Sequence, residues 1–297
     1  MSERNARDSP PLGPADIEFR LMQREDIEVG LKLCRLAGWD QVQRDWERFV
    51  FAEQARVNLA VHGATGQVVG TVATIHYGAE FGWIGMLLVH PGFQGRGVGA
   101  VLLGHATAEL SDVASIRLDA TPAGHLLYRK HGFVDEFPLG RMEALSPRVS
   151  PSVESWVQRL TEVSSDVIAL DRTVFGGGRG GLLEWMRQGA PEYAYVARQN
   201  GRVSGYLLGR HGHQFEHLGP IVGADASTAV KLTSTCLAAH SGKAFVIDSS
   251  SDAPEWRRFL DDAGFREQRP YVRMHRGGHG PFGLQDQQFA ILGPEFG

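Results

Sequence analysis

The stretch from Ile84 to Leu103, IGMLLVHPGFQGRGVGAVLL, constrains this chain more than any other. The apolar run Ile84 to Val89 reads as a buried strand, and Pro91, with no N–H to donate, ends it. Gln94-Gly95-Arg96-Gly97-Val98-Gly99 follows, and Val98, Val101 and Leu102 at once begin a helical pattern. A glycine-rich turn between a strand and a helix N-terminus lets bare backbone N–H groups converge on an anion. The helix dipole adds positive potential there, so the segment predicts a phosphate site. Glycines that serve only a tight turn are the competing reading, and the neighbouring residues decide between the two.

The glycine spacing is not that of the dinucleotide fingerprint G-x-G-x-x-G, and no Lys-Ser/Thr pair closes the turn as in a Walker loop. Leu87, Val89 and Pro91 with the loop Gln94 to Gly99 are similar to the acyl-CoA pyrophosphate loop, Q/R-x-x-G-x-G/A, of the GNAT acetyltransferase superfamily. About thirty residues later, Leu126-Leu127-Tyr128-Arg129-Lys130-His131-Gly132-Phe133 resembles that superfamily's L-Y-x-x-x-G-F segment. Two motifs in the right order are far more specific than either alone.

The 297 residues leave room for two domains, and 42% hydrophobic with 22% charged content is that of a soluble globular chain. A formal charge of −4 supplies no basic field, which argues against nucleic acid or an anionic membrane as partner. No run approaches the ~20 apolar residues of a membrane span. Cys34 and Cys236 lie far apart without a CxxC, so two packed thiols in a reducing cytoplasm are expected.

Residues 1–15, polar and proline-rich, read as a disordered arm. Ile17, Phe19 and Leu21 alternate as a first strand; Ile27, Leu31 and Cys34, then Val42, Trp46, Phe49 and Val50, mark two amphipathic helices. A hairpin is expected from Asn58 to His76, a strand at Ile116–Ala120, a short helix from Pro122, and a closing strand pair from Phe133 to Met142. Residues 146–160 read as a linker or helix. The same plan then recurs in weakened form: a hairpin from Tyr193 to Gly209, a strand Phe215–Val222, Phe245–Asp248, and a helix ending at Gly264-Phe265. The glycine loop is missing from this copy, where Gly223-Ala224-Asp225-Ala226-Ser227 stands instead.

That order, with Leu170-Asp171-Arg172, Arg179 and Gly219-Pro220, resembles the tandem bacterial GNAT acetyltransferases of the YitH/HolE type. The resemblance implies an α/β (α+β) architecture of two tandem GNAT folds, each a mixed, mostly antiparallel twisted sheet flanked by helices. The acetyl-CoA-binding domain would occupy 16–145, a degenerate copy 161–276, and an irregular tail 277–297.

For chemistry, the resemblance implies acetyl-CoA as co-substrate, with the pyrophosphate held at Gln94, Gly95, Arg96, Gly97, Val98, Gly99 and Ala100. Leu87, Leu88 and Val89 would pair with the pantetheine, and the N–H of Leu88 or Val89 would polarise the thioester carbonyl. Tyr128 is the expected acid for the leaving thiolate. Glu80 is the expected base, with His76 and Asp119 as alternatives. His211, His213 and His217 form H-x-H-x-x-x-H, a spacing that fits no familiar metal site, and no metal is expected. The reading that follows is a cytoplasmic N-acetyltransferase, monomer or dimer, acting on a small-molecule amine. Acetylation of a protein or peptide, and acyl-CoA sensing without catalysis, are the alternatives.

Overall fold

The computed structural model describes residue 12 and residues 14–150, 154–278 and 283–297. Most of the expected N-terminal arm, and residues 151–153 of the expected linker, lie outside them.

The described chain divides into two units, one of 1–118, 126–134 and 275–277, the other of 119–125, 135–274 and 278–297. In the first unit, β1 (Ile17–Leu21), β2 (Ala55–His62), β3 (Val68–Tyr77) and β4 (Phe81–Val89) form an antiparallel meander. Next to β4 lies β5 (Ser115–Ala120), parallel to it. The helices α1 (Ile27–Leu36) and α2 (Gln43–Phe51) precede β2, and α3 (Val98–Glu109) links β4 to β5.

Local chemistry sets these helices. The buried stripe of α1 is Ile27, Gly30, Leu33 and Cys34, the spacing of one helical face. Gly30 is required because a Cβ there would lie 2.7 Å from the fully buried Trp46 of α2. Asp45 takes the Val42 N–H at 2.8 Å and so starts α2. Arg35 donates to the carbonyls of Trp39 and Gln41, both at 2.8 Å, and ties down the turn between the helices. Trp46 is thus a core residue, whereas Trp39 is half-buried.

The helix α4 (Pro122–Lys130) starts at Pro122 as expected, and β6 (Val134–Ala144) follows it. The expected strand pair at Phe133–Met142 is instead this single strand of 11 residues. Its partners come from the other half of the sequence. In the second unit β6 lies between β12 (Arg266–Gly277) and β11 (Phe245–Ser249), pairing with β11 antiparallel from Phe245↔Ala144 to Ser249↔Gly140.

The remaining order is β7 (Val157–Arg159), α5 (Ser165–Phe175), α6 (Gly180–Gly189), β8 (Tyr195–Gln199), β9 (Arg202–His211), β10 (Glu216–Gly223), α7 (Ala226–Ala239), β11, α8 (Pro254–Asp262), β12 and β13 (Gln288–Ala290). The meander β7-β8-β9-β10 is antiparallel, and β10 begins parallel to β11. The tail read as irregular therefore contains a strand, β13, inserted between β10 and β11. The core here is built on Tyr193, Leu207, Ile221, Phe245, Trp256, Phe265 and Phe289. Both cysteines are buried, and neither is in a disulfide. No helix among the described residues is long and apolar enough to cross a membrane.

Candidate active site

In the sheet of the first unit, β4 is irregular. The β3–β4 register shifts between Thr71 and Ala73, opposite Met86, whose φ of 51° is the left-handed region that a side chain disfavours. This is a β-bulge, and bulges bend the strand that carries them. The Thr71 hydroxyl, itself buried, donates to the Met86 carbonyl at 2.8 Å and holds the distortion. On the other side β4 pairs with β5 only from Phe81↔Ser115 to Trp83↔Arg117. Beyond the bulge the two parallel strands splay.

Peptide groups along β4 point alternately left and right. His90 donates to the Val69 carbonyl at 2.8 Å, and Leu88 pairs directly with Thr71, so both face β3. The peptide groups of Leu87 and Val89 therefore face the splay. Consistent with this, the Val89 carbonyl accepts from the Gln94 side chain at 3.0 Å and not from β3. Of the two N–H groups expected to polarise a carbonyl, the ladder leaves that of Val89 and uses that of Leu88.

At the end of β4 the loop turns on Gly95 and Gly97, with φ of 75° and 89°. Gly97 is the N-cap of α3 and offers no side chain to its amides. The N–H groups of Ala100 and Val101 donate to the Gly97 carbonyl at 3.0 and 3.2 Å, and that of Gln94 to Pro91 at 3.3 Å. The N–H groups of Gly95, Gly97, Val98 and Gly99 have no acceptor among the described residues. Four donors at a helix N-terminus fit a diphosphate. Gln94 braces the loop through its side chain, and the Arg96 guanidinium lies 5.2 Å over the Phe93 ring. Leu12 donates to the Arg96 carbonyl at 2.6 Å, an N-terminal contact that nothing in the motif foretold.

Tyr128 lies in the same unit, on α4, with its ring edge-on to Phe133 at 6.1 Å between centroids. Burial pushes its phenol up to about 12, so the group stays protonated through the neutral range. Leu127, next to it, would contact a Cβ at Gly99 at 3.3 Å, which brings α4 against the first turn of α3.

Of the three expected bases, Glu80 and His76 stand at the other end of β4 and Asp119 is held by an arginine. Glu80 is exposed in the turn between β3 and β4, its carboxylate folded over Gly78. Six residues of strand separate it from Met86, about 20 Å at the rise of an extended chain. It stands at the closed end of the splay. His76 pairs with Gly82 at that same end, and its ring meets Asp112 at 3.2 Å. Asp119 is buried in the second unit and accepts two hydrogen bonds of 2.8 Å from Arg273. The bulge residues Thr71 and Met86 were missed, because a bulge built on methionine instead of glycine leaves no sequence signal.

The three histidines of the H-x-H-x-x-x-H run do not converge. His217 is buried beside Arg210, whereas His211 meets Glu216 at 2.7 Å and Glu192 at 3.3 Å. No metal-holding group of three is found among the described residues.

A bulged strand that splays from its parallel neighbour, ending in a cradle of free amides, is the architecture of a thioester-dependent acyl transferase. Two different family models, each described as an acetyltransferase (GNAT) domain, match residues 45–135 and 167–290. The chain belongs to the GNAT acetyltransferase superfamily, with two such domains in tandem, and it is an acetyltransferase. It is 27% identical over 261 residues to the holothin acyltransferase of Pseudoalteromonas sp. (strain SANK 73390), covering 87% of each. With the uncharacterized N-acetyltransferase YitH of Bacillus subtilis (strain 168) it shares 24% over 255 residues, 84% of this chain and 88% of that protein. A putative acetyltransferase from Pyrococcus horikoshii has the same fold, with a TM-score of 0.80 at 22% identity, covering 97% of this chain and 99% of that one.

Proposed function

We propose that the chain moves an acetyl group from acetyl-CoA directly to the amine of a small molecule, both bound at once in the first unit. The observation that carries this is the continuity of the bulge, the splay and the amide cradle along one strand end. The pyrophosphate sits on the N–H groups of Gly95, Gly97, Val98 and Gly99, and the pantetheine runs along Leu87 to Val89 as an added strand. The N–H of Val89 faces the thioester oxygen, a contact worth about 2.7–4 kcal/mol as charge develops there.

The amine nitrogen attacks the thioester carbon, the C–N bond forms and the C–S bond breaks. The thiolate takes the proton of Tyr128, which regains it from water. The proton lost by the amine passes to water in the splay, since Glu80, His76 and Asp119 are all engaged or sited elsewhere. One relative is named for its acceptor, holothin, and aligns over 87% of both chains, which supports an acceptor of that kind. Two buried cysteines outside any disulfide support a reducing cytoplasm.

The test is thiol release from acetyl-CoA across polyamines, amino acids, aminoglycosides and peptides. Turnover with free amines is expected. Turnover confined to peptides overturns the small-molecule acceptor, and tight acetyl-CoA binding without turnover on any acceptor overturns catalysis.

A further inference from the structure

The second half repeats the splay and then fills it. The strands β10 and β11 pair in parallel only at Glu216↔Phe245 and His217↔Val246, and the β9–β10 register shifts between Leu218 and Ile221. From there β13 lies between them, pairing Ile221↔Ala290 and Val222↔Gln288 on one side and Ser249↔Ala290 on the other. Ile291 donates to the Asp248 carbonyl at 3.0 Å, and Ser250 to the Phe289 carbonyl at 3.2 Å. A Cβ on Gly219 would collide with the Ile291 carbonyl oxygen, so the segment presses directly on the strand.

The residues after it are anchored as firmly. Phe289, Ile291, Leu292 and Phe296 are each at most 1% exposed. Glu295, buried, forms an ion pair with the buried Arg210, and the Gly297 carbonyl accepts from Arg179 at 2.7 Å. Arg179 is itself held by Asp171, which also accepts from the Tyr206 hydroxyl.

The other two parts of the first-half site are also replaced. Asp225 is the N-cap of α7 and accepts from Thr228 N–H at 2.8 Å, putting a carboxylate where the first half offers free amides. Before Gly264-Phe265, Leu260 stands in the place of Tyr128.

We propose that residues 284–297 are a built-in peptide ligand of the second half. They occupy the cleft in which an acyl-CoA arm would run, so that the chain binds one acyl-CoA and not two. Strand β13 supplies the backbone partners that a pantetheine would supply, and Glu295 on Arg210 anchors the segment at the closed end of the splay, where Arg210 pairs with His217. The stoichiometry rests on the acetyl-CoA reading of the first half, whereas the occupancy of the second cleft does not.

Amide hydrogen exchange on the full chain tests the occupancy without any ligand. The amides of Ile291 and Ser250 are expected to exchange as slowly as those of β9, and loop-like exchange there overturns the proposal. Calorimetry with acetyl-CoA should give one equivalent. Acetyl-CoA should slow exchange at 94–101 and leave 216–223 unchanged; two equivalents, or protection at 216–223, overturns it. Ile291→Pro, which removes a donor, should speed exchange across 288–297 while KM for acetyl-CoA stays within twofold. Should that variant not fold, Glu295→Gln in the full chain carries the same comparison through loss of the ion pair, and unchanged exchange there counts against the proposal. A protein that binds no acetyl-CoA yet shows a protected 288–292 refutes the functional reading and upholds this one.

Discussion

Arg141 closes on Asp248 through two hydrogen bonds of 2.8 Å, from Nε and Nη2 to the two carboxylate oxygens, across 107 positions of sequence. Arg273 does the same to Asp119 across 154 positions. In each pair an arginine of a late strand from one repeat holds the aspartate ending a strand of the other. The exchange of β6 and β12 between the repeats is thereby pinned by charge as well as by ladder pairing.

Both partners of the Arg141–Asp248 pair are buried, with side-chain exposures of 7% and 3%. Removing one leaves the other charged and desolvated, so Arg141→Ala is expected to cost about 3–5 kcal/mol, read as a lower midpoint in urea unfolding. Burial raises the Asp248 carboxyl, but the Arg141 guanidinium outweighs it, and its pKa lies below the ordinary value. A depressed carboxylate stabilises the fold above its unfolded pKa of about 3.9 and loses that stabilisation as pH falls through the folded value. Thermal midpoints of the wild type should therefore drop below about pH 4, and Asp248→Asn should flatten that drop.

The exchange could not be read from the sequence. Gly132-Phe133 and Gly264-Phe265 are followed by equivalent alternating runs, so either run satisfies either sheet edge. Pairing partners are a non-local choice that periodicity does not record. The strand Ile84–Val89 and the helix from Val98 were legible because proline and glycine punctuate them. The segment 284–297 was not, since three strand residues between two proline- and glycine-rich stretches carry too short a pattern. Among the site residues, the loop amides and Tyr128 lie together in one unit. Glu80 is close to β4 in sequence, but the direction of the strand puts it at the end away from the bulge.

Glu80→Gln tests that last point. The side chain is exposed in a turn, about 20 Å from the bulge by strand rise. Steady-state kinetics should show kcat and kcat/KM within twofold of the wild type. A loss of tenfold or more with an unchanged acetyl-CoA affinity would return Glu80 to the role of base.

Tyr128→Phe separates an acid from a packing residue. The ring contact with Phe133 survives the substitution and the proton does not. A general acid contributes about 10²–10⁴-fold, so kcat should fall by about two orders of magnitude with acetyl-CoA binding intact by calorimetry. Because burial holds the phenol up to about 12, the wild-type rate should show no loss from Tyr128 ionisation between pH 7 and 10. An alkaline limb that appears below pH 9 and vanishes in Tyr128→Phe would contradict this placement of the proton.

Thr71→Val keeps the shape of the side chain and removes the hydroxyl that meets the Met86 carbonyl. The lost hydrogen bond should cost about 1 kcal/mol of stability. A larger effect is expected on kcat/KM, because the bulge that aims the Val89 N–H is no longer braced. Thr71→Ser, which keeps the donor, should recover most of the activity. Equal activity in Val and Ser variants would show that the bulge holds itself.

Gly97→Ala strikes the proposed diphosphate cradle and leaves Tyr128 untouched. At φ 89° an alanine sits in the left-handed region, and its Cβ would approach the Leu12 carbonyl oxygen at 3.0 Å. The strain of a side chain there is about 1–2 kcal/mol. If the loop relaxes to relieve it, the N–H groups of Gly97 and Val98 turn from the position of the diphosphate. KM for acetyl-CoA should then rise by about tenfold for each 1.4 kcal/mol of lost contact, with kcat at saturation falling less. Calorimetry with dephospho-CoA and with pantetheine locates the loss. The penalty should persist for dephospho-CoA, which keeps the diphosphate, and disappear for pantetheine, which lacks it. An equal penalty for pantetheine would place the damage in the strand and not in the cradle.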